Sequence, residues 1–341
     1  MGILRFSLLL LFFSAIACKQ KAPTGSDLST EHGKETKSFS TTVNLDSGPA
    51  MEPTKGALLL TRFKTLDELK KVIQIKYFEG VKGADPIMHK TPSVRITHAS
   101  HGRKVVSNLR FGVSERDISS AWTGGLGDKI WLGLSFPYLV FHKRNLPRVF
   151  NLSRRRAQVF GEGDMAFYDL AETMVSNIND DDLLLLPPED LSEKGYLNTF
   201  NHMVSQAFIT SIFSEKFADF IADSHERAHM PELITGTFTE EQLKDLEKGA
   251  IDNYVDIINN EWGQELGKVL GEKYAITKQT NWTPELLANY LNDLEQYFSW
   301  SFQIGFKPFR AEDELVITFA KKINTVMNDV SGMRWKKKKN N

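Results

Sequence analysis

From Tyr196 onward, apolar side chains recur every three or four residues, the period of an α-helix with one buried face. Phe200, Met203, Ala207, Phe208, Ile212, Phe213, Phe217, Phe220 and Ile221 keep this rhythm and predict one long helix, or two in sequence, over residues 196–230. Thr239-Glu240-Glu241-Gln242 reads as a capping box opening a helix toward Leu270. Thr283-Pro284-Glu285 supplies an N-cap with proline at the first helical position, and predicts a helix to about Phe302. A last helix is predicted from Asp313 to Met327.

The upstream half is mixed. Thr65-Leu66-Asp67-Glu68 is a second capping box, predicting a helix to about Phe78 that Gly80, Gly83 and Pro86 end. Ser93 to Thr97 alternates like a strand. Trp131 to Phe141 is strongly apolar but interrupted by Pro137. It is too short to span a bilayer, and it reads as a buried core segment rather than a membrane contact. Gly124-Gly125-Leu126-Gly127 lacks the spacing of a nucleotide loop and reads as a turn. Arg154-Arg155-Arg156 reads as a solvated helix face, Met165 to Ile178 as an amphipathic helix, and Asp180-Asp181-Asp182 as surface charge before a boundary loop at Pro187-Pro188. The three aspartates lack the spacing and glycine of an EF-hand. The expected class is therefore mainly α: a bundle-like helical domain over 191–330, preceded by a smaller mixed α/β region over 57–190.

Residues 18–56 change character. They are rich in Lys, Ser, Thr, Gly and Glu, and too poor in apolar groups to offset the entropy of ordering, so they are expected to be a flexible tether. Residues 331–341 form a basic tail. The chain has 341 residues, 41% of them hydrophobic, enough for one large domain or two small ones. Its formal net charge of −1 gives no support to a general nucleic-acid binder, and no nucleic acid is expected as a partner.

Cys18 is the only cysteine. Arg5 precedes the apolar run Leu8 to Phe13, which ends in Ser14-Ala15-Ile16-Ala17-Cys18. This segment resembles the lipobox of bacterial lipoproteins, with Ile16 where a small residue is usual. The resemblance implies a signal peptide over 1–17, an acylated Cys18 as the first mature residue, and membrane lipid as a partner. The expected location is the cell envelope of a bacterium. Lys19 stands where an aspartate marks inner-membrane retention, which favours the outer membrane or cell surface. Acylation leaves no thiol for a disulfide.

The helical half carries polar groups that packing alone does not require. His202 and Gln206 share one helix face; Asp252, Asp256, Asn259, Asn260 and Gly263 share another. Histidines and carboxylates facing each other across helices are how bundles build metal sites and acid–base pairs. Gly263 and Gly267, four apart, are expected to permit close helix packing. His225-Glu226-Arg227-Ala228-His229 resembles the H-E-x-x-H motif of zinc peptidases. In that chemistry the two imidazoles grip one zinc ion and the glutamate deprotonates its water. The resemblance implies His229 as second ligand and Glu261, Glu247 or Asp256 as third. Pro231 should end that helix early.

A further resemblance runs from Asn198 to Gly263. Asn198-Thr199-Phe200-Asn201-His202, Ser224-His225-Glu226 and Asp256-Ile257-Ile258-Asn259-Asn260-Glu261-Trp262-Gly263 are similar to three ordered segments of an uncharacterised family of bacterial helical domains, found in secreted, lipid-anchored and toxin-like proteins. The family's arginine before the first histidine, tryptophan three after it and arginine after the last glycine are here Asn201, Ser205 and Gln264. The resemblance implies a site but no reaction. The expectation is a metal-dependent hydrolase, zinc being the favoured divalent ion. His202, His225 and Asp256 hold the metal, Glu226 acts as general base and Asn260 orients a ligand. The alternatives are a gluzincin-like peptidase using His225, His229 and Glu261, and a non-catalytic lipoprotein in which the same groups form a structural network. The substrate is open among an ester, a phosphodiester, a peptide and a cell-wall bond.

Overall fold

Thr65 accepts a hydrogen bond from the Glu68 amide, as its capping box requires, but the helix it opens ends at Leu69. The expected continuation to Phe78 is a strand instead. Ile73, Ile75 and Tyr77 alternate with Gln74 and Lys76, a period-2 pattern that outweighs the cap. In the computed structural model, which describes residues 55–79, 91–245 and 249–329, strand β1 (Ile73–Phe78) pairs antiparallel with β2 (Ser93–Ser100), and β2 with β3 (Arg103–Arg110). Cys18 and the leader, nearly all of the tether, Gly80, Gly83 and Pro86, Glu247 and the basic tail lie outside the described residues. His101 and Gly102, both at positive φ, turn β2 into β3; two such residues match the right-handed twist of a hairpin.

Several short and medium helices between the hairpin and the long central helix frame the site. Helix α1 (Glu115–Thr123) starts at the Ser114 capping box, and Gly124-Gly125 separates it from α2 (Leu126–Ser135). A five-residue helix, Pro137–Phe141, follows, then α3 (Asn145–Leu152) and α4 (Phe167–Ser176). The predicted helix over 196–230 is two: α5 (Asn198–Ile212) and α6 (Glu215–His229), divided at Ser214, whose side chain caps α6. The Thr239 capping box opens only Glu240–Lys244, and the long helix α7 (Ala250–Lys273) starts afresh after Gly249. Helices α8 (Pro284–Phe302) and α9 (Glu314–Asn328) complete the chain and match the predicted starts at Thr283-Pro284 and Asp313.

The described chain is mainly α, with one small antiparallel sheet ahead of the helices. Its core is a continuous cluster of buried side chains from Ala57 to Met327. One face of the sheet, carrying Val94, Ile96, Val105 and Leu109, is buried, and Trp262 of α7 donates from its indole nitrogen to His98 of β2 at 2.9 Å. Burial lowers the His98 pKa to about 4, so it accepts as a neutral ring.

Two expectations need correction. Trp131 to Phe141 is not a core segment: Leu132 and Leu139 face inward, but Trp131, Leu134, Val140 and Phe141 are exposed. Breaking the apolar run into two short helices lets only one face of each pack. Arg154 to Arg156 is not a helix face but the link after α3. Arg154 pairs with Glu115, Arg155 with Asp169, and the Arg156 amide donates to Asp164 at 2.6 Å. Asp180 to Asp182 forms a helical turn with Asp180 and Asp181 exposed, the surface charge expected, while Asp182 accepts from the Gly305 amide at 2.7 Å. No helix among the described residues is long and apolar enough to cross a membrane.

Candidate functional site

The site exists because α5 and α7 approach closely. A Cβ on Gly263 would sit 2.7 Å from the Met203 carbonyl oxygen, and one on Gly267 would sit 2.6 Å from that of Ala207. Only hydrogen fits there, so the expectation of close packing at these glycines holds. Ser211 seals the far end, its hydroxyl donating to the Gly267 carbonyl at 2.7 Å. At this separation, short polar side chains reach from one helix to the other.

His202 makes that reach. Its Nε2 lies 3.2 Å from Asp256 Oδ2, and its Nδ1 lies 3.0 Å from Asn260 Oδ1. Asn198 Nδ2 donates to the other Asp256 oxygen at 2.8 Å. Asn260 Nδ2 donates to Glu226 Oε1 at 3.3 Å, bringing in α6. With the amide nitrogen of Asn260 turned to Glu226, its oxygen is left to accept from His202 Nδ1–H, while Nε2–H donates to Asp256. Both imidazole nitrogens then carry protons. Burial disfavours this cation, but the Asp256 carboxylate, with Glu226 behind it, outweighs burial and raises the His202 pKa to about 10.

The carboxyls respond in the opposite sense. Burial, then the Asp256 charge, push Glu226 up to about 7 against the pull of His225 and His202. Burial and Asp256 likewise raise Asp252 to about 8. Three carboxyls around one imidazolium cannot all stay ionised, so protons are retained near neutral pH.

His225 is placed differently. Its ring centroid is 6.5 Å from that of His202, and its Nδ1 is 3.0 Å from Glu115 Oε2 at the start of α1. Burial lowers the His225 pKa, but the bond to Glu115 and the charge of Glu226 give a net rise. Glu115 is held below the usual carboxylate range, chiefly by the same bond. Arg154 pairs with Glu115 from the other side. Sequence alone does not point to Glu115, and it presents Arg154 only as part of a solvated helix face. The one available signal was Glu115 immediately after the Ser114 cap, which describes a helix start and not a histidine partner more than a hundred residues away.

His202, His225 and Asn260 open onto a cleft of about 220 Å³. Ile118 of α1, Leu146, Val149 and Phe150 of α3, and Ile209 and Ile221 form its apolar wall; Arg154, Ser205 and Glu115 add polar groups. Asn259, adjacent to Asn260, faces elsewhere. Its side chain accepts from the Leu58 amide at 2.8 Å and donates to the Leu58 carbonyl at 2.9 Å, and Thr199 donates to the same carbonyl at 3.0 Å. Both asparagines lie within α7 rather than at a helix-end turn.

The structure thus brings together His202, His225, Glu226, Asp256 and Asn260, but does not arrange them as metal ligands. His202 spends both nitrogens on Asp256 and Asn260, and no group of three or more His, Cys, Asp or Glu side chains among the described residues is disposed to hold a metal ion. Of the third ligands considered for the zinc-peptidase layout, Glu247 lies outside the described residues and Glu261 is turned away from the two histidines. Glu261 bonds Ser107 of β3 and faces Asp219 and Asp223, and burial raises it to about 8. His229 Nδ1 rests 3.0 Å from the His225 carbonyl, the helix ending there as Pro231 requires. Comparison with family models, with curated proteins and with solved structures gives no match to this chain.

Proposed function

We propose that this chain is a lipid-anchored protein of a bacterial envelope whose cleft hydrolyses a substrate bearing an apolar group, by acid–base chemistry without a metal. The Cys18 lipobox supports the anchor. The observation that carries the chemistry is the pairing of His225 with Glu115 at the mouth of a cleft that also holds His202 and Asn260. A histidine held at Nδ1 by a carboxylate presents Nε2 for proton transfer, the orienting logic of general-base sites. In this reading His225 takes a proton from water as it attacks and returns it to the leaving group. The His202 imidazolium holds fixed positive charge beside the developing oxyanion. Glu226, with a pKa near 7, buffers the protons of the network. The apolar wall selects an acyl or similarly greasy group, which favours an ester or amide over a phosphodiester. A metal-dependent version would require His202 to leave Asp256 or Asn260.

The test uses chromogenic esters of increasing acyl length, with phosphodiester, peptide and cell-wall glycan panels beside them. Hydrolysis that rises with acyl length, survives chelator, and falls about 100-fold or more in His225→Gln is the expected result, the usual scale for losing an acid–base group. Stoichiometric bound metal that disappears in His225→Ala would restore the metal reading. Inactivity on every panel, with loss of stability as the only effect of the substitutions, would leave a structural network, a role its mutually satisfied groups also suit.

A further inference from the structure

Between α1 and α3, which wall the cleft, two short helices turn an apolar surface outward. On α2, Leu126, Trp131 and Leu134 are 75%, 73% and 67% exposed, and Ile130 lies between them on the same face. Phe141, at the end of the next short helix, is 83% exposed. Gly133 joins the two pieces: a Cβ there would lie 3.2 Å from Val140, so the missing side chain lets the short helix seat against α2 and extend its apolar face. Soluble surfaces carry scattered apolar residues, but a contiguous group of large ones marks a contact. Cations rim this group: Lys129, Lys143 and Arg144 are exposed beside it.

We infer that this surface docks on a phospholipid bilayer, with Trp131, Leu134 and Phe141 entering the headgroup and acyl boundary and the basic rim meeting anionic headgroups. Two observations choose a bilayer over another protein. The first is composition: tryptophan and large aliphatic side chains ringed by Lys and Arg suit the membrane interface, where one end of each side chain is apolar and the other wet. The second is the chain outside the described residues. Fully extended, residues 19–54 reach at most about 130 Å, so a lipid on Cys18 would hold the folded part near the membrane without fixing which face meets it. This surface supplies the second attachment that a single lipid chain lacks. The inference rests on the proposed membrane location but not on the hydrolytic chemistry.

The test uses the chain from Lys19 to Asn341, which keeps every described residue and the whole core. It is sedimented with phosphatidylcholine vesicles, with and without phosphatidylglycerol, beside the double variant Trp131→Ser/Phe141→Ser. Binding to the anionic vesicles that weakens with salt, and that falls at least tenfold in a double variant of unchanged thermal midpoint, is expected. Equal binding by the two proteins, or no binding by the parent chain, overturns the inference. A parent chain that sizes as a dimer and becomes monomeric in the double variant also overturns it, since a second copy would then be the occupant. Metabolic labelling of the full chain and of Cys18→Ala with a palmitate analogue reads the anchor separately, so failure of the anchor and failure of the surface are distinguishable.

Discussion

His202 and Asp256 meet across the α5–α7 interface with Nε2 and Oδ2 3.2 Å apart, and the pair is nearly enclosed, with side chains 14% and 11% exposed. Its stability depends on pH in a determined sense. The folded state raises the His202 pKa from 6.5 to about 10, so it binds this proton more tightly than the unfolded chain. The stabilisation is complete below 6.5 and is lost as pH rises toward about 10. Asp256→Asn removes the counter-charge. Denaturant unfolding should show it less stable by about 3 kcal/mol near neutral pH, the scale of breaking a buried pair, with a flatter decline above neutrality than the parent.

Glu115 controls His225. Replacing it by Gln removes the carboxylate hydrogen bond that most raises the histidine's pKa and leaves burial, which lowers it. Proton NMR titration of Glu115→Gln should show His225 titrating at lower pH than in the parent chain, with His202 little changed. An unmoved His225 would sever the two residues functionally.

The glycine contacts between α5 and α7 should tolerate no side chain. Gly263→Ala places a methyl against the Met203 backbone, and overpacking of this kind costs about 1–3 kcal/mol. Thermal unfolding should register that loss. Because the substitution pushes apart the helices that carry His202 and Asn260, the His202 pKa should fall as well.

Asn259 is a clamp on the chain and not a member of the cleft. Asn259→Ala removes both of its bonds to Leu58; the carbonyl keeps its bond from Thr199, but the buried amide loses its partner, a loss of about 1–3 kcal/mol. Limited proteolysis should then cut near residues 57–63 faster than in the parent. The pKa values of His202 and His225 should stay where they are.

Much of the helical half was legible in advance. The α8 start follows from Thr283-Pro284, where the Thr283 side chain caps the Leu286 amide with no distant partner, and the α9 start near Asp313 follows from the helix prediction over 313–327. The face of α7 that carries Asp256, Asn260 and Gly263 follows from helical spacing in the same way. Two capping boxes promised longer helices than exist, because a cap specifies a beginning and says nothing about what the next residues pair with. Ile73 to Phe78 pairs with a strand some twenty residues on, and Glu240 to Lys244 stops short of α7.

Periodicity and capping are local properties, and from them the chain by itself determined its class, its main helices and the polar groups shared by each helix face. Distance between faces is not local. Only the tertiary structure decided that His202 would spend both nitrogens within the network, that Glu115 would hold His225 at Nδ1, that Glu261 would turn toward the sheet, and that Trp131 and Phe141 would face outward. Each of these outcomes depends on how closely two surfaces approach, and it is the packing of side chains far apart in sequence that sets that approach.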